Sequence, residues 1–285
     1  MSHPEPSQED VFSILGSNVR IEIIKVLADA DRPLSFSELH DALEIRDSGQ
    51  FNYHLNNMLE TVVHRTDEGA YELTYTGGRI VGALYSGEFE PAVTAETHEL
   101  ASTCANCGRG LLAGYEDDRS QQLHIWCTGC EEVEFQFGFP PGGVEGRSPE
   151  ELTAVLDRWT RTNLLALTDR VCMNCIGRLE GGLKDPAADQ PEADQPTIEL
   201  SCERCPSTGV LSVASLLYLH PEVVALYRRH GTDLDTIHLW NTRVLVDPSI
   251  TTVDRDPWTL DASITVGDER LTLRIEEDLT IRPTN

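Results

Sequence analysis

The chain has 285 residues, 48 acidic and 22 basic, for a formal net charge of -26. That length allows a sizeable core and two or three folded units. No window nears the roughly 20 apolar residues of a bilayer span, and the polar opening MSHPEPSQED has no signal-peptide pattern, so a cytoplasmic protein with no membrane association is expected. The acids are spread among regularly spaced apolar positions, unlike a disordered acidic tail, and Lys25 and Lys184 are the only lysines. This reads as a folded body adapted to molar salt, where screening removes the self-repulsion of dense carboxylates; an ordinary acidic protein is the other reading.

Residues 1–90 are expected to form short helices followed by a hairpin. Ser7 and Asp10 open a first helix, Gly16 interrupts it, and Val19, Ile23, Val26 and Leu27 recur at helical spacing to about Ala28. Pro33 marks a turn, Ser35 and Glu38 make a capping box, and Phe36, Leu39 and Leu43 supply one apolar stripe. Asp47 and Gln50 repeat the box, the Gln side chain reaching back, before a helix that buries Phe51, Leu55, Met58 and Leu59. Val63 and Arg65, then Tyr71 and Leu73, alternate with polar neighbours around Asp67-Glu68-Gly69, the signature of a wing-like hairpin. Helical spacing returns over 76–87 with Ile80, Val81 and Leu84. A polar stretch follows, of which 91–99 is taken as a linker.

All eight cysteines fall in C-x-x-C pairs. In a reducing cytoplasm this spacing favours metal over structural disulfides. Four thiolates close a tetrahedral shell around zinc, and each C-x-x-C turn supplies one edge of it. The gaps 108–126 and 176–201 each suit a hairpin that returns its ends to one another. Cys104, Cys107, Cys127 and Cys130 are therefore assigned to one zinc ion, and Cys172, Cys175, Cys202 and Cys205 to a second. Gly108 and Gly129 give the knuckles conformational freedom. Redox chemistry, an iron-sulfur cluster and His124 as a substitute ligand are the competing readings. A closed shell makes such zinc structural and not catalytic.

From 100 to about 230 the chain repeats itself: C-x-x-C, hairpin, C-x-x-C, apolar segment, then a helix opened at Pro149-Glu150 or Pro221-Glu222. The first helix carries a Ser148/Glu151 capping box; the second ends in Arg228, Arg229, His230 and Gly231, as the helix dipole and left-handed cap prefer. KDPAADQPEADQPT, residues 184–197, is read as a flexible hairpin tip, Gly142-Gly143 as a turn, and 243–282 as three or four strands with a turn at Gly267-Asp268. The expected class is α+β: an N-terminal winged helix-turn-helix (1–90), the linker (91–99), a first zinc-ribbon-like unit (100–147), a connecting helix (148–170), a second zinc-ribbon-like unit (171–212) and a C-terminal helical and β extension (213–285).

LGSNVRIEIIKVLADA, LSFSELHDALEI and QFNYHLNNM, over about residues 8–88, resemble the early, support and recognition helices of ArsR-like winged helix-turn-helix regulators, notably those of halophilic archaea. The resemblance implies a recognition helix in the major groove of double-stranded DNA, with Ser48, Gln50, Asn52, Tyr53, His54 and Asn57 facing the duplex and His64 and Arg65 of the wing following its backbone. A homodimer, through the first helix and the helix at 76–87, is also expected. That family's metal-sensing cysteines are missing from this segment. Residues 1–90 hold 6 basic and 16 acidic side chains, so a reader of DNA here must rely on hydrogen bonds, shape and cations bridging carboxylates to phosphates more than on counter-ion release. A transcriptional regulator is the leading expectation; a zinc-dependent adaptor docking a protein partner and a redox or metal sensor are the others. An enzyme is not expected, since no Walker-A loop, G-x-G-x-x-G, H-E-x-x-H or nucleophile with its base is found.

Overall fold

In a computed structural model that describes residues 7–89, 96–115, 122–130, 133–185 and 195–284, helices combine with antiparallel sheets in both of two compact units, Met1–Ala92 with Pro140–Glu145 and Val93–Phe139 with Gly146–Asn285. The class is α+β.

The first unit runs α1 (Gln8–Leu15), α2 (Asn18–Ala28), α3 (Phe36–Asp41), α4 (Ser48–Asn56), β1 (Val63–Arg65), β2 (Tyr71–Leu73) and α5 (Tyr75–Tyr85). Local chemistry sets the starts. Ser35 accepts from the Glu38 amide while the Glu38 carboxylate accepts from the Ser35 amide, a complete capping box on α3. Asp47 caps α4 by accepting from the Gly49 and Gln50 amides at 2.7 and 3.2 Å. Among the described residues the reciprocal bond expected from Gln50 is not formed, so this is an N-cap and not a box. Ile23, Ile24, Leu39, Phe51, Leu55, Met58 and Val63 close a fully buried core. β1 and β2 pair Val63 with Leu73 and Arg65 with Tyr71, and Leu34 bridges to Tyr71 on the far side. At Gly77, in the first turn of α5, an added Cβ would lie 2.3 Å from the Val62 carbonyl, so the helix rests directly on the backbone before the hairpin. The Pro141–Gly143 turn also belongs to this unit, where the Gly142 amide donates to the Ser86 carbonyl at 2.8 Å.

The second unit begins at β3 (Thr97–Thr103), followed by β4 (Gly110–Tyr115), β5 (Gln122–Cys127), β6 (Val133–Gly138), α6 (Pro149–Thr168), β7 (Leu179–Lys184), β8 (Thr197–Cys202), β9 (Thr208–Ser212), α7 (Pro221–Arg229), α8 (Leu239–Leu245), β10 (Ser249–Arg255), β11 (Trp258–Val266), β12 (Glu269–Glu276) and β13 (Ile281–Pro283). The sheets are β3-β4-β5-β6, β7-β8-β9 and β10-β11-β12-β13, each antiparallel in sequence order. The internal repeat is visible in this order. The hairpins β4–β5 and β7–β8 each lie between two C-x-x-C turns, one further strand follows each hairpin, and a proline-initiated helix follows that. α6 has the Ser148/Glu151 capping box, and α7 ends at Arg228 and Arg229 with Gly231 left-handed at φ 83°.

Three further expectations need correcting. Residues 97–99 are not linker: they begin β3, whose Leu100 and Ser102 are buried on one face, while 90–95 lie outside the described residues. Residues 243–245 are the end of α8 and not strand, because Trp240 and Thr242 anchor a helical turn in the core. The C-terminal strands are also no appendage, since Leu260, Ile264, Leu273 and Ile275 share one core with Leu179, Ile198 and Leu200 of the β7–β9 sheet. Lys184 pairs with Thr197, so the segment between them connects a hairpin; the flexibility expected there falls on 186–194, outside the described residues.

Candidate metal centres and a candidate nucleic-acid face

The eight cysteines gather into two groups, Cys104/Cys107/Cys127/Cys130 and Cys172/Cys175/Cys202/Cys205, with the sulfurs of each group within 4.8 Å of one another. Both are built alike. In the first turn of each, the amide four residues on donates to the leading cysteine's carbonyl: Gly108 to Cys104 at 2.9 Å and Ile176 to Cys172 at 2.8 Å. The leading cysteine's own amide donates five residues ahead, Cys104 to Arg109 and Cys172 to Gly177. Gly108 takes the left-handed conformation at φ 74°, and Ile176 takes it at φ 55°.

The donor set fits a tetrahedral cation. Sulfurs 2.3 Å from zinc are about 3.8 Å apart along a tetrahedral edge. The separations include 4.0 Å for Cys104–Cys130, 3.3 Å for Cys107–Cys127, 3.7 Å for Cys172–Cys205 and 3.4 Å for Cys175–Cys202. N–H groups point at several sulfurs: Gly129 and Cys130 at Cys127, Arg204 at Cys202, and the Asn174 side chain at Cys205. His124 is buried in β5 opposite Gly114 and Gln136 and is not in the first group.

The thiols in each cluster are not equivalent. Amides of Cys130 and Gly129 bring Cys127 down to about 7, while a hydrogen bond with Cys107 pushes Cys130 up. Burial alone would raise Cys172, but the amides of Cys175 and Asn174 outweigh it and bring it to about 6. The Arg204 amide lowers Cys202, and the hydrogen bond between the Cys175 and Cys202 sulfurs pushes Cys175 up to about 12. Each cluster is thus a set of sulfurs sharing protons, which a divalent cation would displace.

In the first unit, α4 buries Phe51 and Leu55 and leaves Ser48, Gln50, Asn52 and Tyr53 in solvent, with Asn57 exposed at its C-cap. Tyr53 is 62 % exposed. His64 and Arg65 are exposed on β1, with the Arg65 guanidinium 5.7 Å from the Tyr71 ring centre. His54 is less exposed than the rest of the expected set. It is half-buried, its Nδ1 is buried without a hydrogen-bond partner among the described residues, and burial followed by the nearby Arg20 charge lowers its pKa. It sits one position beyond Tyr53 and so turns off the exposed face toward α2.

Residues 101–281 match the family model described as domain of unknown function (DUF7351), and residues 8–84 match a second, domain of unknown function (DUF7347). No curated protein and no solved structure matches the chain.

Proposed function

The chain belongs to the DUF7351 family, and we propose that it is a zinc-containing, DNA-binding transcriptional regulator. In this reading α2–α5 with the β1–β2 hairpin form a winged helix-turn-helix of the ArsR-like kind, α4 enters the major groove, and the hairpin follows the phosphates. One observation carries it. α4 has a buried apolar face and an opposite face of uncharged hydrogen-bonding side chains, Gln50, Asn52, Tyr53 and Asn57, in a chain of net charge -26. Amide and hydroxyl side chains pair with base edges and phosphates without bringing a carboxylate to the duplex. The aromatic side chains that α1 and α5 leave exposed, Phe12, Tyr75 and Tyr85, support a homodimer through those helices. Zinc in each four-cysteine shell would leave no open coordination position, which favours a structural role over catalysis.

The test is an electrophoretic shift with genomic fragments in molar potassium chloride. The intact chain retains a subset of fragments, and Tyr53→Ala or Asn52→Ala releases them with the fold intact. Retention of no fragment, or equal retention by both variants, would sink the proposal. A thiol-responsive regulator is the second reading, because Cys107 is the exposed member of the first cluster. Loss of the shift after peroxide, restored by reductant and zinc, favours it.

A further inference from the structure

Between β6, β9 and α6 lies a slot of about 440 Å³. α6 lines it with Thr160, Asn163, Leu164 and Leu167, one face of the helix. The strands line it differently. Four consecutive residues of β6, Phe135–Gly138, and the run 207–212 through β9 all border it. Side chains alternate between faces along a strand, so unbroken runs border a cavity only when the strand edge itself faces it. The topology agrees, because β6 and β9 are the terminal strands of their sheets.

The pairing of β9 fixes which backbone groups face the slot. The Cys202 amide donates to the Ser207 carbonyl at 2.9 Å, one step beyond the last β8–β9 pair, Ser201–Thr208, and the Glu203 amide donates to the Arg178 carbonyl of the β7 side, so the Cys202, Leu200 and Ile198 backbone groups face β9. Bonded and non-bonded couples alternate in an antiparallel ladder. Leu200–Gly209 and Ile198–Leu211 are therefore bonded couples, and Thr208 and Val210 turn their N–H and C=O groups away from β8. Among the described residues no partner takes them. Val210 is 67 % exposed, an apolar side chain on an open edge, where chains commonly carry a charge or a proline to block association.

Charge narrows the occupant. A quarter of the chain is charged, yet no Asp, Glu, Lys, Arg or His borders the slot. Cys172, which also borders it, is 1 % exposed and belongs to the second cysteine cluster, so a charged side chain entering the slot would lose water and meet no charged side chain of opposite sign. Thr208 and Val210, two residues apart, offer donor and acceptor sets about 6.8 Å apart, a spacing that another strand matches along its length. We propose that the free edge of β9 takes up an extended, uncharged segment of a partner protein as an added strand, with its inward side chains against Phe135, Phe137 and the α6 face. This site is independent of the duplex-binding face.

Fluorescent, end-capped hexapeptides alternating valine with threonine or glutamine are the probe, read by anisotropy against the full chain in molar potassium chloride. Binding is expected for at least one such peptide, with at least a tenfold loss when its alternate amides are N-methylated or when every second residue is glutamate or lysine. Val210→Pro removes the outward N–H while leaving the β8 ladder its bonds, and should weaken binding at least tenfold; Val210→Thr, which keeps the amide, should not. Metal content and circular dichroism report whether Val210→Pro folds, and the N-methylated peptide tests the same bond without altering the protein. The proposal falls if no peptide binds, if the N-methylated peptide binds as well as its parent, or if a folded Val210→Pro chain binds unchanged. Conversion of a dimer to a monomer by Val210→Pro would assign the edge to a second copy and also overturn it.

Discussion

Replacing Cys172 by serine removes one sulfur from the second cluster and tests whether metal holds that half of the fold. Structural zinc with four ligands contributes roughly 10–16 kcal/mol of apparent binding free energy. Divided over the ligands this is about 3 kcal/mol each, about two orders of magnitude in affinity. Cys172 adds a second cost because it is 1 % exposed and lies in one core with Leu179, Leu200 and Ile275. A serine hydroxyl there loses water without the sulfur's role, a further penalty of about 1–3 kcal/mol. The sum, about 4–6 kcal/mol, compares with the roughly 5–15 kcal/mol that stabilises a typical domain. Cys107→Ser should cost the ligand part alone, since Cys107 is exposed. The assay is metal content by mass spectrometry across a chelator titration, together with thermal unfolding in molar salt. The intact chain should hold two equivalents, and each variant should give up one of them at a chelator concentration about a hundredfold lower or less, with the larger fall in midpoint for Cys172→Ser. A Cys172→Ser protein that keeps two equivalents against chelator as the intact chain does, with an unshifted midpoint, would refute the reasoning, as would an intact chain purified without metal.

Ile176→Gly should raise the unfolding midpoint. A β-branched residue in the left-handed region costs about 1–2 kcal/mol, the side chain is 71 % exposed so little burial is lost, and the flexibility of glycine takes back roughly 0.5–1 kcal/mol; a lower midpoint would show that Ile176 packs on something in solution. Phe51→Ala should destabilise the first unit by about 3–5 kcal/mol in denaturant titration, because Phe51 is fully buried, whereas Tyr53→Ala should stay within about 0.5 kcal/mol. The hydrogen bond from Arg32, then the Ser35 amide and hydroxyl, hold Glu38 down to about 2 from an ordinary 4.5. Its contribution is thus present above 4.5 and lost as pH falls toward 2, so the stability difference between the intact chain and Glu38→Gln should narrow over that window, and a difference constant down to pH 2 would contradict the pairing.

The parts legible in the sequence are those set by chemistry within a few residues. Ser35/Glu38 and Ser148/Glu151 are reciprocal caps that need only their own turn, and the eight cysteines declare their grouping because a tetrahedral shell needs two C-x-x-C edges. Gly267-Asp268 joins β11 to β12 where the turn was expected. What was not legible depends on distant partners. Nothing near Gly142 announces that its amide meets the Ser86 carbonyl, and nothing near Leu260 or Ile275 says that they complete the core of a sheet some sixty residues earlier. The half-burial of His54 beside Arg20 of α2 likewise depends on a neighbour that a local pattern does not show. β3 did carry a signal in the alternation of Leu100 and Ser102, which a polar composition masked.

Acidity so pervasive gives neutral surface a meaning it lacks in an ordinary protein. At molar salt the Debye length falls to about 3 Å, so long-range repulsion no longer keeps a polyanion or an acidic partner away, but a carboxylate in direct contact must still be desolvated or paired. Contact is then cheapest where carboxylates are missing. α4, Ser48–Asn56, contains no acidic residue, and the slot beside β9 is bordered by none. The two differ in what they present: side-chain amides and hydroxyls on α4, which suit base edges and phosphates, and unpaired backbone groups with apolar neighbours at β9, which suit another strand. An acid introduced into each should therefore act on one partner only. Asn52→Asp should weaken the duplex and leave the hexapeptide bound, and Val210→Asp should do the reverse; a variant that abolished both would mean that charge acts here through the fold and not at the contact.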